Sequence, residues 1–301
     1  MKVYLNDPID PAARQRLLER VELTDSFAHP EELDAIIVRQ QYCPAEVIRR
    51  AKKCRLIQQH GVGLDRIDVA AARECGIPVR NTAGSNARTV AEYTMALLLD
   101  VARKVSCIQR QTRAGLLTSF GRPETVGTEL CGKRLGLVGC GHIAGEVRQI
   151  AREGFRMEVC CCSPFDPPEV VAASGMTPVK SVGELLASCD AVSLHCLLSE
   201  QSYHIIDTAA LRQARPGLIL INTARGGLID EQALYQALTE GRLAGAGLDV
   251  FEHQPPDPSD PLLGLDNVVA TMHVAGSSRE ALARTGRQVV DAVFAALGIS
   301  G

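Results

Sequence analysis

One stretch of the sequence is the strongest indication of the fold: Lys133-Arg134-Leu135-Gly136-Leu137-Val138-Gly139-Cys140-Gly141-His142-Ile143-Ala144. Its first half is a short apolar run typical of a buried strand, and its second half has the spacing G-x-G-x-x-A and opens a helix. In this context Gly139 permits a tight turn, and Gly141 allows backbone N–H groups to approach a pyrophosphate. Ala144 is small enough for the helix to pack on the sheet. The stretch therefore predicts a dinucleotide-binding turn, although a simple strand–helix turn has the same outline.

Short β-branched runs alternate with helical segments along the chain, which predicts an α/β fold with parallel sheets. The predicted strands are Lys2–Leu5, Ala35–Val38, Arg55–Gln58, Pro78–Arg80, Arg134–Val138, Met157–Cys162, Ala191–Leu194, Leu218–Ile221, Gly245–Asp249 and Val268–Thr271. The later six, with helical crossovers, predict a doubly wound sheet. A long amphipathic helix is predicted over residues 85–104, and a last helix over 278–297 that packs back on the first domain.

Length and charge restrict the classes of protein to consider. The chain has 301 residues, which predicts two domains of about 100–200 residues each. Its 32 basic and 35 acidic residues give a net charge of −3, so we expect neither nucleic acid nor a membrane as partner. No apolar stretch is long enough for a signal peptide or a bilayer span. We expect a cytoplasmic protein that acts on a small molecule.

The cysteines do not predict a metal or disulfide framework. Their number, 11, is odd, and no C-x-x-C pair occurs. Three of them stand together at Cys160-Cys161-Cys162 within a predicted strand. We interpret the cysteines as small buried apolar residues in a reducing compartment, and we expect no metal site.

Polar residues follow three successive predicted strands near the end of the chain. Arg225, Gln254 and His273 lie beyond the strands 218–221, 245–249 and 268–271. Because ligands of open α/β sheets bind beyond the carboxyl ends of the strands, we expect these residues to converge beside a nicotinamide. Each also has a structural explanation, as a surface ion pair, a turn residue and a core histidine. Arg225 is suited to clamp a carboxylate, and His273 to exchange a proton with an alkoxide.

Two further segments bear on ligand binding. The turn Gly61-Val62-Gly63 follows a predicted strand, and its backbone N–H groups can bind a second carboxylate oxygen, unless it is an ordinary glycine turn. Ser163, followed by Pro164-Phe165-Asp166, stands where dinucleotide folds usually carry an acidic ribose ligand. Serine does not repel a 2′-phosphate, but no Lys or Arg occurs from residue 164 to 179 to bind one. This favours NAD over NADP.

With these residues in view, the chain resembles the D-isomer-specific 2-hydroxyacid dehydrogenase family over nearly its whole length. The matching motifs are Gly61-Val62-Gly63-Leu64-Asp65-Arg66-Ile67-Asp68, Asn81-Thr82-Ala83-Gly84 with Val90-Ala91-Glu92, the segments 132–139 and 222–230, and Gly247-Leu248-Asp249-Val250-Phe251. The resemblance implies a flavodoxin-like substrate domain over residues 1–92 and 277–301, and a Rossmann cofactor domain over residues 93–276. It also implies closure of the site by hinge motion, and a homodimer built largely on the helix 85–104.

The resemblance also implies roles for single residues. Arg225 matches the family's substrate arginine and His273 its catalytic histidine, while Val62 and Gly63 lie in the substrate loop. Residues at positions where the family contacts the cofactor are Gly139, Gly141, His142, Ile143, Ser163, Cys196, Thr223, Asp249 and Gly276. Asp249 matches the acid that holds the nicotinamide carboxamide.

The chain departs from the family pattern at the third catalytic position, where Gln254 replaces a glutamate. A glutamine can orient the imidazole of His273 but offers no charge, so we predict that ketoacid reduction fades at a lower pH than in relatives with glutamate. Glu252 lies on the same side of an extended segment, which leaves open a contribution from its carboxylate. Met272 and Leu197 also replace prolines of the family pattern.

The resemblance implies an oxidoreductase that transfers a hydride between NAD(P)H and a small 2-ketoacid or D-2-hydroxyacid. Glyoxylate, hydroxypyruvate and 3-phosphoglycerate-like compounds are the candidate substrates. Two alternatives stay open. The family includes corepressors that sense a dinucleotide without turnover, and its formate dehydrogenase branch carries glutamine at the position of Gln254, so a formate- or phosphite-type activity is also considered.

Overall fold

The computed structural model describes residues 1–117, 119 and 121–300 and divides them into two units. Unit 1 combines residues 1–86 with the C-terminal segment that starts at Ser277, and unit 2 spans Ala87–Gly276. The boundary predicted after residue 92 lies inside the helix that begins at Ala87.

Unit 1 is a parallel sheet covered by helices. Its strands are β1 (Lys2–Tyr4), β2 (Glu22–Thr24), β3 (Ala35–Val38), β4 (Ile57–Gln59) and β5 (Val79–Arg80). Its helices are α1 (Pro11–Leu18), α2 (Ala45–Arg50), α3 (Val69–Glu74) and α11 (Arg279–Leu297). Among the described residues the sheet order is β2-β1-β3-β4-β5, which is the order of the flavodoxin-like fold.

The last helix of the chain belongs to unit 1. The side chain of Ser278 accepts a hydrogen bond from the N–H of Ala281 at its start, and Gly298 ends it in a left-handed conformation. Its buried residues Val289 and Val293 join the core formed by α1 and the sheet. The two chain ends are therefore packed into one unit.

Unit 2 is the larger α/β unit. Its strands are β6 (Arg134–Val138), β7 (Glu158–Cys162), β8 (Thr177–Pro178), β9 (Ala191–Leu194), β10 (Leu218–Asn222), β11 (Leu243–Leu248) and β12 (Val268–Ala270). Its helices are α4 (Ala87–Arg103), α5 (Val105–Arg113), α6 (His142–Phe155), α7 (Pro168–Ala173), α8 (Val182–Ser188), α9 (Thr208–Arg212) and α10 (Glu231–Thr239).

The strand order of unit 2 confirms the predicted doubly wound sheet. In the described part of the chain, parallel strands run in the order β12-β11-β10-β9-β6-β7-β8. The order reverses between β6 and β9, and this switch point is where doubly wound sheets bind dinucleotides. The chain thus has the Rossmann order extended by one strand.

Both faces of this sheet are covered, and alternation along the strands divides the core between them. Cys161 faces the layer formed by α4 and α6, whereas Cys160 and Cys162 face the layer of α8, α9 and α10. Successive strand residues point to opposite faces, so a strand buried on both sides is apolar throughout. This explains why three small apolar cysteines stand together.

The structure differs from the sequence predictions in several details. Strands β2 and β8 were not predicted, because they are short edge strands without a buried residue or an apolar run. The interpretation of the cysteines as buried is wrong for Cys75 and Cys131, which are exposed, and for Cys107 and Cys140, which are half-buried. Short edge segments and surface helices carry no burial signal in the sequence.

The described residues contain neither a candidate metal site nor a candidate membrane helix. Within residues 1–117, 119 and 121–300, no group of three or more His, Cys, Asp or Glu side chains could hold a metal ion. No helix in that part of the chain combines the length and apolarity that a bilayer crossing requires.

Candidate active site

The turn after β6 has the conformation that the glycine spacing predicts. Gly139 has a φ of 101°, which side chains rarely adopt, and a Cβ there would come within 2.9 Å of backbone atoms of His195 and Cys196. Its N–H donates to the carbonyl of Cys162 over 2.9 Å. Only glycine fits this position, where the turn passes between the ends of β7 and β9.

The next glycine, Gly141, lies on a side of the turn that no other atoms cover. A Cβ on Gly141 would meet nothing within 4 Å, so the backbone here is open to an approaching group. Gly141 is the N-cap of α6, and among the described residues no side chain caps that helix. His142 is exposed and Ile143 half-buried in the first turn, while Ala144 is fully buried. The uncapped N–H groups of a 14-residue helix suit an anion such as a pyrophosphate.

A carboxylate stands beside this turn, at the end of β7. Ser163 Oγ donates to Asp166 Oδ2 over 2.5 Å, and Cys140 Sγ donates to the same oxygen over 3.2 Å. These hydrogen bonds, chiefly the one from Ser163, hold the pKa of Asp166 below its usual range. Ser163, at the predicted ribose position, therefore has the carboxylate of Asp166 as its hydrogen-bond partner.

Beyond the ends of β11 and β12, the structure brings two of the predicted polar residues into contact. His273 Nδ1 lies 2.9 Å from Gln254 Oε1. An amide oxygen only accepts hydrogen bonds, so the proton of this bond is on Nδ1 of His273. His273 is exposed and has a φ of 50°. The imidazole is thus oriented by a neutral partner.

A buried carboxylate holds the loop that carries this histidine. Asp249 is 0% exposed and accepts hydrogen bonds from Thr271 Oγ1 at 2.7 Å, from the N–H of Val274 at 2.9 Å and from the N–H of Ala275 at 2.7 Å. The carbonyl of Asp249 also accepts from the N–H of His273 over 2.6 Å. Within unit 2, Asp249 therefore fixes the path of the chain from β12 to Gly276.

The loop that carries Arg225 is joined to the same assembly. Asn222 Nδ2 donates to the carbonyl of Arg225 over 2.8 Å, and the carbonyl of Asn222 accepts from the N–H of Asp249 over 2.9 Å. Arg225 is half-buried, and its Nη1 donates to the carbonyl of Ala224. Thr223 is buried, and its Oγ1 lies 2.9 Å from Thr94 Oγ1.

Backbone packing seats this loop on the one that leads to Gln254. A Cβ on Gly226 would overlap the carbonyl group of Phe251 and the amide nitrogen of Glu252. The backbones of the loops after β10 and β11 are therefore in direct contact.

The contacts described for Glu252 lie on other segments of unit 2. Its carboxylate pairs with Nε2 of His204, whose ring is stacked on Tyr203 with centroids 3.9 Å apart. Its N–H donates to Glu231 Oε1 over 2.8 Å, and burial raises the pKa of Glu231. The described partner of the Glu252 carboxylate is thus a histidine on another loop. Sequence reasoning missed His204 and Glu231 because nothing in the local pattern relates them to Glu252.

The predicted substrate loop lies in unit 1, at the end of β4. Gly61 has a φ of 140°, its N–H donates to Thr82 Oγ1 over 3.1 Å, and Asn81 Nδ2 donates to the carbonyl of Val62 over 2.7 Å. Val62 and Gly63 are half-buried. The loop is thus held by the segment that follows β5.

The same strand end contains polar side chains that the sequence analysis did not single out. Gln58, Gln59 and His60 are buried, and burial lowers the pKa of His60 to about 4. The spacing of residues gives no indication of this, because a run of two glutamines and a histidine is typical of a surface.

The glycine turn places unit 2 among the dinucleotide-binding α/β domains, and an oriented imidazole beyond the same sheet is what a dehydrogenase needs to move a proton. Comparison with known proteins identifies the family. The sequence model described as "D-isomer specific 2-hydroxyacid dehydrogenase, NAD binding domain" matches residues 95–275. The chain therefore belongs to the D-isomer-specific 2-hydroxyacid dehydrogenase family and is an NAD(P)-dependent oxidoreductase.

Individual relatives agree with this assignment. The chain is 38% identical to a hydroxypyruvate reductase of Thermotoga maritima, over 99% of both chains. It is 37% identical to a D-3-phosphoglycerate dehydrogenase of Archaeoglobus fulgidus, of which it spans 56%. The solved structure of the TT0316 protein from Thermus thermophilus matches with a TM-score of 0.89 and 34% identity, over 99% of this chain and 97% of that one.

Proposed function

We propose that this protein reduces a small 2-ketoacid of the glyoxylate or hydroxypyruvate type to the D-2-hydroxyacid and catalyses the reverse reaction. The observation that carries the proposal is the contact of His273 Nδ1 with Gln254 Oε1, on a loop that buried Asp249 holds in place. The similarity to a hydroxypyruvate reductase over the full length of both chains supports this class of substrate.

His273 is the proposed proton donor. With its Nδ1 proton directed at Gln254 Oε1, the ring presents Nε2 to the substrate oxygen. In reduction Nε2 of the imidazolium gives its proton to the oxygen that becomes the hydroxyl, and in oxidation neutral Nε2 takes that proton back. The nicotinamide, when bound, supplies or accepts the hydride. Gln254 fixes the tautomer without adding charge.

Arg225 is the proposed substrate anchor. A guanidinium binds a carboxylate through two parallel hydrogen bonds and polarises the neighbouring carbonyl. The bonds of Asn222 to the Arg225 carbonyl and to the N–H of Ala224 hold the backbone from which the side chain reaches out. In unit 1, the N–H groups of Val62 and Gly63 are the proposed substrate-binding groups.

We propose that the cofactor binds in unit 2. The open turn at Gly141 and the uncapped N-terminus of α6 support this location. The proposed contact residues are Gly139, Gly141, His142, Ile143, Ser163, Cys196, Thr223, Asp249 and Gly276. The first four surround the pyrophosphate, and the last three surround the nicotinamide end. Because Asp249 already accepts hydrogen bonds from its own loop, we propose that its part is chiefly to position that loop.

We propose that the protein works as a homodimer in the cytoplasm. The long helix α4 buries residues such as Leu97 and Leu98 in the core of its own unit. The next helix, α5, is fully described and has no buried residue, and Val105 at its start is 57% exposed. This leaves α5 as the better candidate for contact with a second copy. Light scattering after gel filtration measures the oligomeric state directly.

The proposal is tested with a panel of substrates and a matched pair of histidine variants. Glyoxylate, hydroxypyruvate and 3-phosphohydroxypyruvate are assayed with NADH and NADPH, and formate and phosphite with the oxidised nucleotides. The variant His273→Asn is expected to lower kcat by about 10²–10⁴-fold with little effect on nucleotide affinity. His253→Asn, at an exposed position beside Gln254, is the control and is expected to keep the wild-type rate.

Three results would contradict the proposal in different ways. Turnover of formate or phosphite alone would assign the other substrate class. Nucleotide binding without turnover of any compound would favour a dinucleotide-sensing protein. Equal rates for His273→Asn and wild type would remove His273 from the reaction.

A further inference from the structure

We infer that Asp166 is the cofactor-specificity residue of this enzyme, a carboxylate that binds the adenosine ribose and rejects a 2′-phosphate. The inference rests on the proposed function and deepens it, since it selects NAD(H) over NADP(H). The first residue after β7 is Ser163, so the acid that this fold ordinarily carries there is missing. Asp166 restores a carboxylate at that place from further along the chain.

The position of this carboxylate follows from its two hydrogen bonds. Oδ2 of Asp166 accepts from Ser163, which follows β7, and from Cys140, which lies in the glycine turn after β6. Strands β6 and β7 are neighbours in the sheet. Their ends and the carboxylate thus border the same gap, beside the pyrophosphate turn, where a dinucleotide fold places the adenosine ribose.

The chemistry of the group fits a ribose diol. The two described hydrogen bonds both reach Oδ2, and Oδ1 is left to accept from a ribose hydroxyl. Asp166 is exposed, so a ligand can reach it. Donors at Oδ2 stabilise the ionised form, so the group is a full negative charge at neutral pH.

The same charge opposes a 2′-phosphate. A phosphate monoester carries about −1.5 to −2 charges at pH 7 and would lie within a few ångströms of the carboxylate. No Lys or Arg occurs from residue 164 to 179 to offset the repulsion. At an exposed site such repulsion corresponds to roughly 10- to 100-fold weaker binding of NADP⁺ than of NAD⁺.

A purely structural role for Asp166 predicts a different result. If the carboxylate only tied the turn at Cys140 to the segment after β7, an amide oxygen would serve as well, because it also accepts from a hydroxyl and a thiol. The variant Asp166→Asn keeps the shape and the acceptor and removes only the charge. It therefore separates specificity from support of the turn.

The experiment measures nucleotide binding by calorimetry, without substrate, together with kcat/KM for NADH and NADPH. Asp166→Asn is expected to shift the NAD⁺/NADP⁺ affinity ratio by about 10- to 100-fold toward NADP⁺, with the same shift in kcat/KM. Asp166→Glu, which keeps the charge, is expected to retain the wild-type preference for NAD⁺. Glu169→Gln, an exposed carboxylate in the first turn of α7, is the matched control and is expected to leave the ratio unchanged.

Two outcomes would overturn the inference alone. One is a wild-type enzyme that reduces ketoacids with equal preference for both nucleotides. The other is an Asp166→Asn variant whose affinity ratio stays within twofold of wild type while its thermal unfolding is unchanged. If the wild-type protein binds neither nucleotide, the proposed function fails, and this inference fails with it.

Discussion

Replacing Gly226 by alanine is expected to lower activity by displacing the loops that carry Arg225 and Gln254. The substitution does not alter a residue with a proposed ligand contact. Gly226 is buried, and its Cα faces the backbone of the neighbouring loop at Phe251 and Glu252. Real Cβ atoms essentially never come within 3.0 Å of such atoms, and a Cβ here would overlap the Phe251 carbonyl group. Backbone cannot rotate away as a side chain can, so the loops must separate.

The size of the effect follows from this geometry. Relief of the overlap requires a shift of about 1 Å between the loops that carry Arg225 and Gln254, and a misplacement of that size costs on the order of 10²-fold in rate. Overpacking of a tight contact costs about 1–3 kcal/mol of stability. We therefore expect Gly226→Ala to fold, to unfold at a lower temperature, and to lose about 10²-fold in kcat/KM for the ketoacid.

The assay compares ketoacid kinetics, calorimetric NAD⁺ binding and thermal unfolding with those of Gly264→Ala. Gly264 lies in the same unit, and a Cβ there would meet nothing within 4 Å, so this control is expected to match wild type. NAD⁺ affinity in Gly226→Ala is expected to change less than kcat/KM, because the phosphate turn lies after β6 and only the proposed nicotinamide contacts lie near these loops. A folded Gly226→Ala protein with kcat/KM within threefold of wild type would refute the idea that the two loops position the catalytic groups.

Three further changes test other contacts. Gln254→Glu places a carboxylate against the imidazole and favours its protonated form, so the basic limb of the pH profile for ketoacid reduction is expected to move to higher pH; an unmoved limb would contradict the contact with His273. Asp249→Asn replaces an acceptor oxygen by a donor that faces backbone N–H groups, which is expected to lower kcat by about 10- to 100-fold and stability by about 1–3 kcal/mol; wild-type kinetics would show that these bonds do not hold the His273 loop. Burial lowers the pKa of His60 to about 4, so the unfolded chain binds a proton first as the pH falls below 6.5, and stability present above that pH is lost toward pH 4. By pH 5 the loss from this group is about 2 kcal/mol, and urea unfolding of wild type and His60→Gln at about pH 7.5 and 5 is expected to differ in pH dependence by that amount.

Part of this protein could be predicted because its signals are local. The strands 35–38, 134–138 and 191–194 have the bounds that the sequence analysis predicts, since each is a short segment made mostly of apolar residues. The glycine turn was also predictable from sequence, because its conformation requires glycine. Gly139 has a φ of 101°, and a Cβ there would meet neighbouring backbone. Where one residue and its neighbours determine the backbone conformation, the spacing of residue types in the sequence is sufficient to predict it.

The doubly wound parallel sheet and the location of the three strand ends at one sheet edge also followed from sequence, by way of the general rule for parallel α/β sheets. The partners of individual side chains did not. Glu252 reaches His204 across 48 residues, Asp166 reaches Cys140 across 26, and Asp249 reaches Ala275 across 26. In each pair the chain between the partners forms strands and helices whose packing sets the distance.

The amino-acid sequence by itself determined the class of fold, the dinucleotide turn and the residue types available at each strand end, because these depend on short-range periodicity and on backbone sterics. The tertiary structure alone decided which carboxylate stands beside the glycine turn, which one supports the His273 loop and which one pairs with His204. A hydrogen bond requires its atoms to lie about 3 Å apart, and that distance between residues remote in the chain is set only when the sheet and its helices have packed.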